Sequence, residues 1–152
     1  MLFLTHILFG VLVGLVSVGF ISGGNSYLFF FLVLVGAALP DIDQPGSKMN
    51  QWTGIIGKSV SWFFKHRGIF HSMWLVVILV LVFKLFFGTY YAWGLFLGMV
   101  SHLVADGLTR AGVDWFYPWK SLRMRGFIRT GGIGEVAVQV VLAGLIVWEV
   151  VG

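Results

Sequence analysis

Five long apolar stretches, separated by short polar connections, constrain this chain more than any other feature of its sequence. At about 1.5 Å of rise per residue, the stretch at residues 69–87 is long enough to cross the hydrocarbon core of a bilayer as a helix. Residues 27–39 are few for a span, so that helix is expected to tilt or to include neighbouring turn residues. The sequence therefore predicts an all-α, polytopic membrane bundle of about five transmembrane helices, at residues 2–21, 27–39, 69–87, 90–108 and 133–151.

The composition agrees with a membrane protein. Hydrophobic residues make up 59% of the chain and charged residues only 11%, whereas about a quarter of a soluble domain is charged. In 152 residues we expect a single integral membrane domain, residues 1–152, and no separate soluble catalytic domain. Any chemistry is therefore expected on the helices and on two interfacial loops, which we place at residues 41–64 and 112–129.

The distribution of basic residues predicts the orientation of the bundle. With five crossings, nine of the ten lysines and arginines fall on the side where the chain starts, and Lys84 alone lies near the other side. Loops rich in lysine and arginine stay in the cytoplasm. The chain is therefore expected in the inner (cell) membrane, with a cytoplasmic N-terminus and an external C-terminus. Because this topology accounts for the basic residues, the net charge of +4 does not indicate nucleic-acid binding.

Polar residues at the ends of the apolar stretches predict a metal site. The same count of crossings places all four histidines on the cytoplasmic side, together with four acidic residues. Imidazole is costly in hydrocarbon and needs a partner, and a chain without cysteine offers only imidazole and carboxylate as strong ligands. We expect one or two divalent ions, with Zn²⁺ favoured and Mn²⁺ or Fe²⁺ as alternatives. The candidate ligands are His6, Asp41, Asp43, His66, His71, His102, Asp106 and Glu135.

Each motif has a simpler explanation when it is taken alone. His102 and Asp106 are four residues apart on one helical face, a spacing that fits a metal site or a buried hydrogen-bonded pair. Asp41 and Asp43 follow a proline, and they fit a helix end with an N-cap equally well. His6 alone would be a polar group that packs between helices. Only the set as a whole favours a metal site.

Three motifs occur in order along nearly the whole chain: LPDIDQPGS at residues 39–47, HRGIFHS at residues 66–72 and SHLVADGLT at residues 101–109. Together they resemble the motifs of the LexA-regulated, membrane-bound metal-dependent hydrolases. The early His6 and the GGIGE sequence that ends at Glu135 are similar to that family too. The chain departs from the family pattern at Phe70, where threonine is usual, and at Arg110, where proline is frequent.

This resemblance implies a membrane-embedded hydrolase. The histidine and aspartate motif is also distantly similar to that of all-α zinc phospholipases C and related nucleases, which favours cleavage of a phosphoester. We therefore expect a metal-activated water to hydrolyse a lipid or lipid-linked substrate at the cytoplasmic interface. The expected catalytic residues are Asp43, His66, Arg67 and Glu135. The residues expected to neutralise the substrate phosphate are Arg67, Arg110, Arg123, Arg125 and Lys48.

Two other functions would use the same residues. A metal that only joins helices would make this a structural or regulatory membrane protein, and the sequence does not reveal the open coordination position that distinguishes a catalytic site. A transporter would place polar groups near the bilayer midplane, with access from both sides, whereas here they cluster at one end. Substrate identity and oligomeric state stay open, since Gly94 and Gly98 permit close packing within one chain or between two.

Overall fold

The computed structural model describes residues 1–119 and 122–152 and confirms the all-α prediction. Within these residues the chain forms seven α-helices, five of them long: α1 (Phe3–Phe20), α2 (Ser26–Ala38), α3 (Lys48–Trp52), α4 (Ile55–Phe63), α5 (Met73–Phe87), α6 (Thr89–Gly107) and α7 (Ile133–Val151). The long helices begin and end within one residue of the predicted bounds, except that α5 begins four residues later.

Short 3₁₀ helices adjoin α2 and α5. Leu39–Asp43 continues α2 with Pro40 in its first turn, which extends this apolar segment to the 18 residues Ser26–Asp43. Ile69–His71 forms the second 3₁₀ helix, and Ser72 then adopts an extended conformation, with φ −110° and ψ 146°, before α5 begins. This extended residue is the reason that α5 starts later than the apolar pattern predicts.

Among the described residues, three segments are long and apolar enough to cross a membrane: Phe3–Phe20, Ser26–Asp43 and Ile133–Val151. The apolar helix α5 has 15 residues, which is short for a span. Helix α6 has 19 residues but carries His102 and Asp106, and twelve of its residues are buried inside the protein. Protein rather than lipid therefore surrounds much of α6. That all five long helices cross the membrane completely stays a prediction.

Helix α6 is the central helix of the bundle and contacts α1, α2 and α5. Its closest neighbour is α2, where Gly36 and Gly98 face each other so closely that a Cβ atom on Gly98 would overlap the Val33 carbonyl oxygen. A Cβ atom on Gly94 would lie 2.9 Å from the Phe29 carbonyl oxygen of α2. Small residues permit such an approach of two helix backbones. The Gly94 and Gly98 pair therefore packs within one chain.

The first predicted loop, residues 41–64, contains the two short helices α3 and α4. Asn50 joins them to the 3₁₀ helix after α2, because its side-chain amide donates to the carbonyl oxygens of Ile42 and Gly57 at 2.9 and 2.6 Å. Helix α4 exposes large apolar side chains, as a helix at a membrane surface is expected to do. These side chains are Ile55, Ile56, Trp62 and Phe63.

The second predicted loop, residues 112–129, contains two strands that the sequence analysis did not predict. Strand β1 (Val113–Asp114) pairs antiparallel with β2 (Arg123–Met124). Val113 is buried in one apolar cluster with Met99 and Leu103 of α6. The strand pair is therefore fixed against the end of α6.

Helix α7 packs against α1 and is held there by a buried carboxylate. Glu135 accepts hydrogen bonds from the Leu2 backbone N–H, the Thr5 hydroxyl and the Gly131 backbone N–H, each at 2.6 Å. Gln139 donates to the Thr5 hydroxyl oxygen at 2.9 Å. Most other side chains of α7 are at least partly exposed, as expected for a helix that faces lipid.

We expect Gly98→Ala to destabilise the protein, because the added methyl group overlaps the α2 backbone and forces the two helices apart. Overpacking of this kind lowers the free energy of unfolding by about 1–3 kcal/mol. Thermal unfolding of the detergent-purified protein measures the loss. Gly144→Ala in α7 is the control, since a Cβ atom there meets nothing within 4 Å. Equal stability of the two variants would contradict the close contact between α2 and α6.

Candidate metal centre

Histidine and aspartate side chains from four segments meet at the end of the bundle where α1 begins and α2 and α6 end. The segments are α1, the 3₁₀ helix after α2, residues 66–71 before α5, and α6. All of the contributing side chains except that of His66 are buried. The residues brought together are His6, Asp41, Asp43, His66, His71, His102 and Asp106.

Four potential ligand atoms converge in the middle of this group: Nε2 of His71, Nε2 of His102 and one oxygen each of Asp41 and Asp106. The two Nε2 atoms are 3.2 Å apart. Nitrogen–oxygen distances are 3.8 Å from His71 to Asp41, 3.7 Å from His71 to Asp106 and 3.7 Å from His102 to Asp41. Ligands about 2.0–2.1 Å from a tetrahedral zinc ion lie roughly 3.3 Å from one another. We call this set the His/Asp quartet, and these four distances within it are close to those between the ligands of a divalent metal ion.

The hydrogen bond of His102 to a backbone carbonyl fixes the orientation of its ring. Nδ1 of His102 lies 2.7 Å from the Ala37 carbonyl oxygen, which can only accept a hydrogen bond, so Nδ1 carries the proton. Nε2 of the neutral ring then has a free lone pair, and this atom faces His71. Histidine ligands typically make such a second hydrogen bond, because it fixes the ring and raises the basicity of the ligand nitrogen.

Asp43 lies behind the quartet rather than in it. Its two carboxylate oxygens are 2.8 Å from Nδ1 of His66 and 3.3 Å from Nδ1 of His71. Three groups of described side chains converge closely enough to share a metal ion, and Asp43 is in none of them. The sequence analysis predicted a metal ligand and catalytic residue here. In the structure Asp43 faces Nδ1 of His66 and of His71, a position that suits a carboxylate that orients histidines. Its roles as a ligand and a catalytic residue stay predictions.

His6 extends the centre on the side of α1. Its ring stacks on that of His102, with centroids 3.7 Å apart, and its Nε2 atom is 3.5 Å from Oδ1 of Asp106. Neither ring nitrogen of His6 has a hydrogen-bond partner among the described residues, although the side chain is only 1% exposed. Buried polar atoms without partners are costly, and a metal ion would satisfy one of these nitrogens.

The three converging groups share members, which favours one or two ions over three. They are His71, His102 and Asp106; His6, Asp41 and His102; and Asp41, His66 and His71. Asp106 places Oδ2 near His71 and Oδ1 near His6. Asp106 would therefore be the carboxylate close to both histidines if two ions were bound.

The charges of the centre favour a bound cation. Among the described residues, the Asp41 carboxylate makes ionic contacts only with the rings of His71 and His102. Asp106 is better compensated, because it contacts the guanidinium of Arg67 and the amino group of Met1. A buried carboxylate without a full positive partner is costly. A divalent ion between the aspartates would remove this cost.

Arg67 is the predicted phosphate-binding residue that touches the centre. Its Nη2 atom is 2.9 Å from Oδ2 of Asp106, and its Nη1 atom donates to the Gly112 carbonyl oxygen at 3.2 Å. The backbone of Arg67 has a φ of 61°, a left-handed conformation that is uncommon for residues other than glycine. Such conformations persist where surrounding contacts hold them, and they are concentrated at functional sites.

The other predicted phosphate-binding residues lie away from the quartet. Lys48 is exposed at the first position of α3. The side chains of Arg110, Arg123 and Arg125 hold the second interfacial loop together by donating to backbone carbonyl oxygens. Their acceptors are Phe127, Ala111 and Arg110, respectively.

Glu135, predicted as a ligand and a catalytic residue, has different partners. One oxygen accepts hydrogen bonds from Leu2 and Thr5, and the other accepts one from Gly131. With both oxygens engaged and no place in the three converging groups, Glu135 attaches α7 to α1 next to His6. These donors include backbone N–H groups, which leave no signal in the sequence, and the ligand and catalytic roles of Glu135 stay predictions.

The sequence analysis missed two contributors to the site. One is the Ala37 carbonyl oxygen, a backbone atom that no residue pattern identifies. The other is Thr109, whose hydroxyl donates to the Asp106 carbonyl oxygen at 2.7 Å and lies 3.4 Å from Nη1 of Arg67. Thr109 is the last residue of the third motif, residues 101–109, so its place in that motif could have identified it as part of the site.

Comparison with known proteins finds relatives in two groups of bacteria. YvsG of Bacillus subtilis, described as an uncharacterized protein, is 32% identical over 144 residues, which cover 93% of this chain and 87% of YvsG. The inner membrane protein YdjM of Escherichia coli is 36% identical over 118 residues, which cover 74% of this chain and 60% of YdjM. YdjM of Shigella flexneri matches to the same extent. The alignment thus spans less than two thirds of the YdjM proteins, and no solved structure matches the chain significantly.

A family model supports the same relationship over almost the whole chain. The model described as YdjM inner membrane protein matches residues 1–151. This range includes all three segments that are apolar and long enough to span a bilayer, and all seven residues of the centre. We conclude that the chain is a membrane protein and belongs to the YdjM inner membrane protein family.

Proposed function

We propose that the protein is a metal-dependent hydrolase embedded in the membrane, and that it cleaves a phosphoester of a lipid or lipid-linked substrate. The His/Asp quartet carries this proposal, because its two imidazole nitrogens lie 3.2 Å apart in the interior, and three of the nitrogen–oxygen distances in the set are 3.7–3.8 Å. A mixed imidazole and carboxylate set suits Zn²⁺, Mn²⁺ or Fe²⁺. When bound there, such an ion would act as a Lewis acid and activate water near neutral pH.

His66 is the residue best placed to move protons in this site. Its side chain is 31% exposed, whereas the other three histidines are buried. Asp43 lies 2.8 Å from Nδ1 of His66, so the ring is oriented and Nε2 is left free. This arrangement is typical of a general acid or base held by a carboxylate. In our proposal, His66 delivers a proton to the leaving oxygen.

The location of the centre favours a substrate from the membrane. The 3₁₀ helix that carries Asp41 and Asp43 contacts α4, and α4 exposes Trp62 and Phe63 as a helix at the membrane surface does. Eight of the nine lysines and arginines that the structure describes belong to the segments that connect the long helices at this end. We therefore assign this end to the cytoplasm, with the C-terminus outside. A lipid head group would reach the centre without leaving the bilayer.

Metal content tests the quartet directly. We expect detergent-purified protein to hold one or two equivalents of zinc, manganese or iron, and His102→Ala and Asp41→Ala to lose most of it, as measured by elemental analysis. Asp114→Ala is the matched control, because Asp114 is in none of the converging groups. Equal metal content in all four proteins, or none in any of them after exposure to zinc, would contradict the site.

Two further variants distinguish ligands from residues that support them. Asp43→Asn is expected to weaken zinc affinity by about 10–100-fold, because His66 and His71 lose their orienting carboxylate. Glu135→Gln is expected to leave zinc affinity within about twofold. It lowers the free energy of unfolding by about 1–3 kcal/mol, because the amide cannot accept every hydrogen bond that the carboxylate accepts. Competition with a zinc-binding dye and thermal unfolding measure the two effects, and the reverse pattern would make Glu135 a ligand.

Hydrolysis is tested with lipid phosphoesters in mixed detergent micelles. We expect release of phosphate or head group from phosphatidic acid, a phospholipid diester or a polyprenyl phosphate. A chelator abolishes this release and the native metal restores it. His66→Gln is expected to reduce kcat by about 10²–10⁴-fold, with helicity unchanged. Turnover that survives complete removal of the metal would refute the mechanism.

A structural or regulatory metal is the second candidate, and one observation favours it. The potential ligands come from four separate segments, so an ion would join α1, both 3₁₀ helices and α6. Structural sites stabilise a fold but keep no open coordination position. Full metal occupancy and a large loss of thermal stability on chelation, without turnover of any of the lipids above, would favour this role. A transport role is less favoured, because the centre lies at one end of the bundle.

A further inference from the structure

A pocket of about 280 Å³ lies between the turn that precedes α5 and the β1–β2 strand pair. The backbones of Ala111 and Gly112 form part of its wall. Its polar side chains come from the turn and from the second interfacial loop. They are Lys65, His66, Arg67, Asp114, Tyr117 and Arg123.

The lining of this pocket is positively charged, with three basic side chains against one carboxylate. The repulsion between Asp114 and a bound anion is reduced, because Oδ1 of Asp114 lies 3.9 Å from Nε of Arg123. The Arg123 side chain remains 58% exposed, and Nη2 is anchored to the Ala111 carbonyl oxygen at 3.1 Å. A concave surface lined mainly by one sign of charge concentrates ligands of the opposite sign.

The pocket adjoins the candidate metal centre, because His66 belongs to both and Arg67 contacts a residue of the centre. His66 lines the pocket and contacts Asp43. Arg67 lines the pocket and contacts Asp106 at 2.9 Å. Nε of Arg67 is buried and has no hydrogen-bond partner among the described residues. The guanidinium is the group best suited to hold a phosphate while it also pairs with a carboxylate.

We propose that this pocket binds the phosphate group of the substrate and presents it to the metal centre, an inference that rests on the proposed function. A volume of about 280 Å³ is near the lower limit for ligand pockets, roughly 300 Å³. The pocket therefore accommodates a phosphate with a small head group, and the apolar chains of a lipid stay in the bilayer.

This proposal assigns phosphate binding to only some of the basic residues at this end of the bundle. Of the residues that the sequence predicted for phosphate binding, Arg67 and Arg123 line the pocket, whereas Lys48, Arg110 and Arg125 do not. Lys65 and Tyr117 are new members that no motif indicated.

Calorimetric titration of the full chain in detergent tests the pocket. The protein is first stripped of metal with a chelator, so that binding depends on the pocket residues alone. The probes are inorganic phosphate and dihexanoyl phosphatidic acid below its micelle concentration. We expect Arg123→Ala and Lys65→Ala to bind about tenfold more weakly than wild type, the usual effect of losing a hydrogen bond to a charged group. Lys58→Ala makes the same charge change on an exposed side chain of α4 outside the pocket and is expected to stay within about twofold.

The outcomes of this titration distinguish binding in the pocket from binding at the metal site. They also distinguish a pocket for free phosphate from a pocket for a lipid head group. Binding of both probes with this variant pattern supports a pocket for phosphate as such, and binding of the short-chain lipid alone supports a lipid head group. No binding of either probe, or equal losses in pocket and control variants of unchanged helicity, overturns the proposal. Because metal is absent, the pocket can be supported even if elemental analysis and turnover refute the hydrolase.

Discussion

The contact between the α2 and α6 backbones determines the geometry on which the candidate centre depends. Gly36 and Gly98 remove the side chains that would separate the two helices, and the Ala37 carbonyl oxygen then comes within 2.7 Å of His102, one turn beyond Gly98. Asp41 follows Ala37 by about one turn. Because backbones rather than long side chains make this contact, two ligand candidates from different helices keep a constant separation.

Three of the four histidines of the candidate centre direct Nδ1 toward a protein oxygen. His102 uses Nδ1 on a backbone carbonyl, His66 uses Nδ1 on Asp43, and Nδ1 of His71 faces the same carboxylate. Each Nε2 atom is then available on the opposite side of its ring. His6 differs, because both of its nitrogens lack a hydrogen-bond partner among the described residues. It therefore has the least protein support and the most to gain from an ion.

Sequence reasoning succeeds where the membrane itself imposes the pattern. Lipid requires continuous apolar segments, so the long helices are predicted closely, and it confines polar residues to helix ends, so the centre is located on one side. The roles of individual carboxylates follow from local geometry instead. Asp41 and Asp43 are two residues apart in a 3₁₀ helix with about three residues per turn, so they point in different directions. Neither this 3₁₀ helix nor the extended backbone of Ser72 produces a periodic pattern of apolar residues in the sequence. The short strands also escape prediction, because tertiary contacts around Val113 fix them.

The attachment of α7 at one end affects how the bundle separates. The polar contacts of Glu135 and Gln139 lie in the first two turns of α7, and the remaining side chains are mostly apolar groups that lipid solvates as well as protein does. Lipid can therefore replace α1 as the neighbour of the distal part of α7 at little cost, whereas the end beside His6 keeps its hydrogen bonds.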